Sequence, residues 1–292
     1  MKSKLLFLIT AVLLMFPIIQ TLADPQVTFE VLVSFDYPGA SSTFANVIDD
    51  RGRVGGWCTF HHSRVRGFIR FGEGQFSAPI REPESSDGST YVTGLNIAGI
   101  TSGYYATASG DDGFLYSDST FTTVHMAAMY TDVQKINDAG NYCGATILPS
   151  AAFVNIGGTV TTFVIPGAVG TGAQGINNLD QVVGAYTNGD TTYGYRRDPD
   201  GTLVYPFAVP GAWFTALRGI NDDVWMVGTV ANPATHGVLF PSSGGFVLYD
   251  YPGASITTFT GINSRGLICG SYYDDQGNPH GFIVRVSPAS EE

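Results

Sequence analysis

Few side chains in this sequence have types and spacing that could support chemistry. There are five His, and His61-His62 is the one adjacent pair. Ser63 beside it completes a possible nucleophile and base, but sequence neighbours on a strand point to opposite faces. No orienting acid stands at a readable spacing, so the pair reads as an exposed loop. Gly170, Gly172 and Gly175 fit the dinucleotide pattern G-x-G-x-x-G. That pattern needs a strand before it and a helix after it, whereas this segment reads as a loop entering a strand. Asp274, Gln276 and Asn278 alternate as oxygen ligands do in a calcium loop, yet Arg285 stands where the closing Glu belongs. No His or Asp set has metal-ligand spacing. Neither a metal nor a cofactor is expected.

Composition narrows the partners. Residues 1–23 read as a signal peptide: Lys2 and Lys4, an apolar run over 5–19 broken by Pro17, then Thr21, Leu22 and Ala23 before a cut. The run is short of the ~20 residues that span a bilayer. Removing the two lysines leaves 12 of the 14 Lys and Arg against 25 Asp and Glu, a formal charge near −13. Such a surface repels nucleic acid and anionic lipid, so neither nucleic acid nor membrane insertion is expected. The place of action is the periplasm or the extracellular space. Gly, Thr, Val, Tyr and Phe outweigh the helix formers, which sets the class as all-β.

The elements that would carry any site come from a repeat. The pairs Ile48-Asp49, Leu95-Asn96, Ile136-Asn137, Ile176-Asn177, Ile220-Asn221 and Ile262-Asn263 recur at intervals of 47, 41, 40, 44 and 42 residues. Seven residues after each Asn or Asp comes a Gly (Gly56, Gly103, Gly144, Gly184, Gly228, Gly270). Six before it comes a Thr (Thr43, Thr90, Thr131, Thr171, Thr215, Thr257). The period belongs to propellers and solenoids. Each unit divides into four strands of ordinary length with short connections. The anchor turn carries Gly52, Gly99, Gly140 and Gly266, as a left-handed position requires, but Asp180 and Val224 in units four and five. Those two turns are expected to differ. The Thr hydroxyls, one per unit, are expected to satisfy a backbone group where loop enters strand.

"HGFIVRV" near the C-terminus is a third strand without a fourth, and "VTFEVLVSFDYPGA" near the N-terminus is a fourth strand with no unit before it. The two complete one sheet and hide an edge. The fold expected for 24–292 is therefore a single six-bladed β-propeller of four-stranded blades, the N-terminal strand completing the last blade. A monomer is expected.

The units resemble the HAF-type repeats of exported bacterial proteins. The His-Gly-aromatic element that carries this likeness is intact at His280-Gly281-Phe282, partial at His236-Gly237-Val238, and drifted at Arg66-Gly67-Phe68, Asp112-Gly113-Phe114, Ala151-Ala152-Phe153 and Tyr193-Gly194-Tyr195. Pro-Gly-Ala stands at Pro38, Pro166, Pro210 and Pro252 and is lost from units two and three. The resemblance implies an exported repeat protein and supplies no catalytic residues.

Sites on propellers belong to variable loops on a rigid frame. If the Thr-bearing strand is innermost, the Pro-Gly-Ala loops and the loops after the second strands share one face. That face would gather the candidate ligand-binding residues Trp57, His61, His62, Tyr105, Tyr186, Trp213, Arg218, Tyr272 and Tyr273, together with Tyr104. Aromatics with polar tips suit stacking on sugars or an interface. Three residues before the anchors stand Asn46, Thr93, Gln134, Gln174, Arg218 and Thr260, a polar lining for a channel, with Arg218 a candidate anion contact. His236 and His280 read as ties between strands. The turns of the opposite face are short, polar and alike, and offer little to recognise. Two functions remain: a non-enzymatic exported propeller binding a glycan or a protein, favoured by the loop aromatics, and a carbohydrate-active or small-molecule lyase or hydrolase at the channel mouth.

Overall fold

The computed structural model describes residues 27–60 and 64–288. The expected signal segment and the His61-His62 pair lie outside them. The chain opens with β1 (Val27–Phe35) and then lays down six meanders. Unit one holds β2 (Ser42–Ile48), β3 (Val54–Phe60) and β4 (Arg64–Arg70). Unit two holds β5 (Thr90–Leu95), β6 (Thr101–Ala106), β7 (Asp111–Ser117) and β8 (Thr120–Val124). In unit three come β9 (Tyr130–Ile136), β10 (Tyr142–Ile147), β11 (Ala151–Ile156) and β12 (Thr159–Phe163). Unit four runs through β13 (Gly170–Ile176), β14 (Val182–Asn188), β15 (Thr191–Arg197) and β16 (Leu203–Phe207). Unit five has β17 (Phe214–Ile220), β18 (Met226–Asn232), β19 (Ala234–Phe240) and β20 (Val247–Tyr249). The last unit has β21 (Ile256–Ile262), β22 (Leu267–Tyr273) and β23 (Pro279–Pro288).

Successive strands within a unit pair antiparallel. Single parallel bridges, Asp111 to Tyr130, Thr192 to Phe214 and Thr235 to Ile256, join some units, so the ladders form sheets of twelve, eight and three strands. β1 pairs antiparallel with β23 from Phe35 opposite Gly281 to Val27 opposite Pro288, and so takes the fourth place in unit six. Unit one departs from the expected four strands. Its last segment forms no strand and meets β4 at the isolated bridges Gly67 to Ile80 and Arg70 to Phe76, with Ser77 bonded to Ile69 between them. Pro79 lies between them, and Pro cannot donate to a ladder.

Each repeated column has a physical cause. The six Thr hydroxyls accept hydrogen bonds from the backbone N–H groups of Tyr37, Glu82, Met126, Ile165, Val209 and Tyr251, at 2.9–3.4 Å. They tie each incoming loop to the inner strand it enters. At the second-strand Gly column a Cβ would overlap the inner-strand carbonyl oxygen of Phe44, Tyr91, Asp132, Gly172, Ala216 or Thr258. A register shift in every inner strand brings the backbones that close. The anchor turns are the correction. Asp180 (φ 58°) and Val224 (φ 63°) adopt the same left-handed conformation as Gly52, Gly99, Gly140 and Gly266. All six turns also close the same bond, from this residue's N–H to the anchor carbonyl. The fold overrides the residue preference at Val224, a position disfavoured for a β-branched side chain.

The core lies between units. Phe68, Phe114, Phe153, Tyr195, Val238 and Phe282, the third residues of the His-Gly-aromatic elements, are fully buried. Each contributes about 1.5–3 kcal/mol of apolar burial. Among the described residues no helix is long and apolar enough to cross a membrane.

Candidate functional site

The ends of all six inner strands surround one cavity of about 80 Å³ on the face of the anchor turns. Its frame is a relay of side-chain amides. Each anchor Asn side chain donates to the anchor carbonyl of the following unit: Asn96 to Asn137, Asn137 to Asn177, Asn177 to Asn221, Asn221 to Asn263, and Asn263 to Asp49 (2.8–3.2 Å). Asp49 has no amide to donate. Arg53 replaces it, with Nε on the Asp49 carboxylate at 2.6 Å and Nη2 on the carbonyls of Asn96 and Ile97 at 3.0 and 2.9 Å. One residue on, Asp138, Asn178, Asp222 and Asp50 accept the backbone N–H groups of Ile97, Asp138, Asn178 and Ser264. The cavity opens on this face, where the sequence offered little to recognise. Its rim groups are nevertheless already spent on holding units together.

Deeper between the inner strands, a second cavity of about 40 Å³ is lined by Asn46, Thr93, Gln134, Gln174, Arg218 and Thr260, the six polar residues of one column, and by Lys135. At the position of Lys135 the other inner strands carry Val47 or Gly. Burial, and then the nearby Arg218 guanidinium, bring the Lys135 ammonium down to about 8, with the Cys269 and Cys143 thiols opposing.

The opposite face, that of the variable loops, carries an aromatic file. Tyr273 meets Phe44 edge-on at 6.4 Å, and Phe44 stacks on Trp57 at 4.0 Å. Trp57 meets Tyr91 edge-on at 5.4 Å, and Tyr91 stacks on Tyr104 at 4.7 Å. Phe44 with Trp57, and Tyr91 with Tyr104, are cross-strand pairs in register. The equivalent pairs further on are Asp132 with Ala145, Gly172 with Ala185, Ala216 with Thr229 and Thr258 with Ser271. One side of this level is therefore bulky and flat, and the other is small. Asp132 stands where they meet. Its carboxyl is pushed up to about 7, by burial first and then by the Asp111 carboxylate, and Oδ1 has no hydrogen-bond partner among the described residues. Burial and the Asp132 charge raise the Tyr104 phenol. A near-neutral carboxyl beside a wall of rings can bind a hydroxyl-bearing ring and exchange a proton with it.

The structure sorts the candidate residues. Trp57 and Tyr273 belong to the file. Trp213 is 58% exposed beside Phe214 on a loop of the same face, outside the file. Arg218 lies in the inner cavity. Tyr105 and Tyr186 are buried in the inter-unit core, because alternation along the strand turns them away from the open face. Tyr272 stacks between Tyr251 (3.9 Å) and His280 (5.1 Å) and bonds Ser34 of β1, so it holds the two chain ends together. His280 pairs with Asp36 and His236 with Asp250, tying third strands to fourth segments; Asp112 and His125 form the same pair with the partners exchanged. The residues sequence reasoning missed are Phe44, Tyr91 and Asp132. They share one column, five before the anchor, where rings and a carboxylate replace small residues.

Cys58, Cys143 and Cys269 are buried free thiols. Burial pushes them up to about 12, 12 and 11.

No family model matches the chain, and no curated protein matches it. Solved structures do. A virginiamycin B lyase from Staphylococcus aureus is 11% identical over 91% of this chain and 90% of its own, with a TM-score of 0.51. The Aleuria aurantia lectin, solved with Fucα1-6GlcNAc, is 11% identical over 85% and 94%, with a TM-score of 0.52. An aldose sugar dehydrogenase from Streptomyces coelicolor, solved with PQQ, is 10% identical over 90% and 100%, with a TM-score of 0.50. Likeness at such identities concerns the fold alone: the chain is an all-β protein of β-propeller-like fold.

Proposed function

We propose that this chain is an exported, non-enzymatic, closed six-bladed propeller of HAF-type repeats, which binds a glycan on the face of its variable loops. Closure is supported by the pairing of β1 with β23. The bonds from unit six to unit one support it too: Asn263 to Asp49, Thr260 to Ala45, and Ser264 to Asp50. The observation that carries the ligand class is the file of Phe44, Trp57, Tyr91 and Tyr104 ending at Asp132. Flat rings cover the apolar faces of a sugar, and a carboxyl takes its hydroxyls. A second reading, a lyase or hydrolase acting on the same ligand, is favoured by one feature: a carboxyl held near 7 is poised for general acid–base work.

Screening the mature protein on a glycan array, then titrating the hits by calorimetry, tests the proposal. Trp57→Ala should weaken a true hit by about 1–3 kcal/mol. Asp138→Asn, on the other face, should leave it within about 0.5 kcal/mol. An array without hits, or hits indifferent to Trp57→Ala, would sink the glycan reading. Incubating a hit with the protein and analysing for product decides between binder and enzyme.

A further inference from the structure

Two cations meet at one inner cavity of this acidic protein, neither with a counter-ion among the described residues. Buried charges are nearly always paired, because an isolated one is costly to desolvate. Among the described residues neither Lys135 nor Arg218 has a carboxylate within 4.0 Å. Arg218 spends Nε on the Thr229 hydroxyl at 3.3 Å, and the Lys135 ammonium has no hydrogen-bond partner among the described residues. Both face the same cavity of about 40 Å³.

We propose that this inner cavity binds a small anion between the Lys135 ammonium and the Arg218 guanidinium. The other lining groups sort by what they have left. Asn46, Thr93 and Thr260 already donate to the carbonyls of Val92, Val133 and Ala45. Gln134 and Gln174 have no bonds of their own among the described residues, and the Gln174 oxygen is buried without a partner. Turned over, that amide presents N–H groups to an anion. Space sets the size. A water needs about 10–15 Å³ of such volume, so chloride, bromide or a carboxylate group fits and a sugar ring does not. Charge sets the route. The mouth on the turn face is framed by three carboxylates, Asp50, Asp138 and Asp222, whereas on the variable face the level above the cavity carries one carboxyl, Asp132, which burial keeps near-neutral, so entry from the variable face meets less repulsion. The occupant is either a free anion or the carboxylate of a larger ligand seated above, and the test separates these.

The mature protein is melted in a bulky sulfonate buffer while bromide, acetate or glucuronate replaces the sulfonate at constant ionic strength. Bromide and acetate should each raise the midpoint by about 2 °C or more, and the rise should vanish in Arg218→Met and in Lys135→Met. A further rise with glucuronate over acetate assigns the site to the carboxylate of a larger ligand; equal rises assign it to a free anion. In anion-free buffer both variants should melt at or above the parent, since each removes an uncompensated charge. Should the variants fail to fold, a bromide-soaked crystal of the parent gives the decision through its anomalous signal. A midpoint indifferent to all three anions, together with no bromide peak between Lys135 and Arg218, overturns the proposal, whatever the glycan titrations give.

Discussion

Arg53 is the one place where the relay between units runs through a charge, and that makes it separable by mutation. The Asp49 side chain is 2% exposed and that of Arg53 16%. Removing Arg53 strands a buried carboxylate and frees two carbonyls, those of Asn96 and Ile97. Losing one partner of a buried pair costs about 3–5 kcal/mol; the partial exposure of Arg53 puts Arg53→Ala near the lower end, at about 3 kcal/mol. For a chain of this size that is a fall of about 6–12 °C in the melting midpoint. The other five units show the alternative, an Asn at the anchor and no arginine four residues on, where they carry Ile100, Asn141, Gln181, Trp225 and Leu267. Asp49→Asn added to Arg53→Ala restores that arrangement, with the new amide donating to Asn96, and should return stability to within about 1 kcal/mol of the parent. Asp49→Asn alone, which keeps Arg53 on its two carbonyls, should cost about 1 kcal/mol. Urea unfolding of all four proteins at pH 7 then gives a coupling of about 3 kcal/mol or more. A double mutant no more stable than Arg53→Ala would refute the equivalence of the two linkages.

Two further outcomes are expected. Gly140 has φ 83° and open space where a Cβ would go, so Gly140→Val should cost about 1–2 kcal/mol through backbone strain alone, and Gly140→Asp clearly less, since Asp180 already adopts this conformation; thermal melts of both variants check the order. Asp132 keeps its proton to about 7 when folded but only to about 4 when unfolded, so its contribution to stability is present at low pH and is lost as pH rises between those values. Asp132→Asn should gain about 2–4 kcal/mol relative to the parent between pH 4 and pH 8, and parallel stability curves would remove Asp132 as the titrating group.

The all-β class, the six units, their phase and the strand that joins the two ends could be read in the sequence, because close backbone approach and loop anchoring recur at fixed offsets. Gly56 and its equivalents and Thr43 and its equivalents are dictated by contacts each unit repeats. The polar column that includes Arg218 was legible for the same reason. The site was only half legible. Phe44 and Tyr91 belong to a column with no common residue type, and nothing in sequence shows that Trp57 of one unit meets Tyr91 of the next. Tyr104 and Tyr105 are adjacent and look alike, yet one joins the open file and the other the core. The turn at Val224 misled because a local preference of about 1–2 kcal/mol is overruled by bonds made elsewhere in the unit. Lys135 carries no signal until its neighbours are seen, since a lone lysine among glycines reads as a surface charge.

The side-chain amides of the relay all point the same way, each unit giving to the one after it. Every unit thus has a giving edge and a receiving edge, and the five edges that give through an Asn are alike. Such head-to-tail contacts place no limit on how many copies follow one another; the turn between neighbours decides when the last meets the first. Asp49 and Arg53 then mark a seam, the one joint written differently from the rest. A gene that lengthened by copying its own segment would keep every other joint intact wherever the copy landed. A copy inserted at that seam would leave the aspartate with its arginine, four residues on in the same unit, and would hand the arginine's other end, now on Asn96 and Ile97, to the carbonyls of a new neighbour.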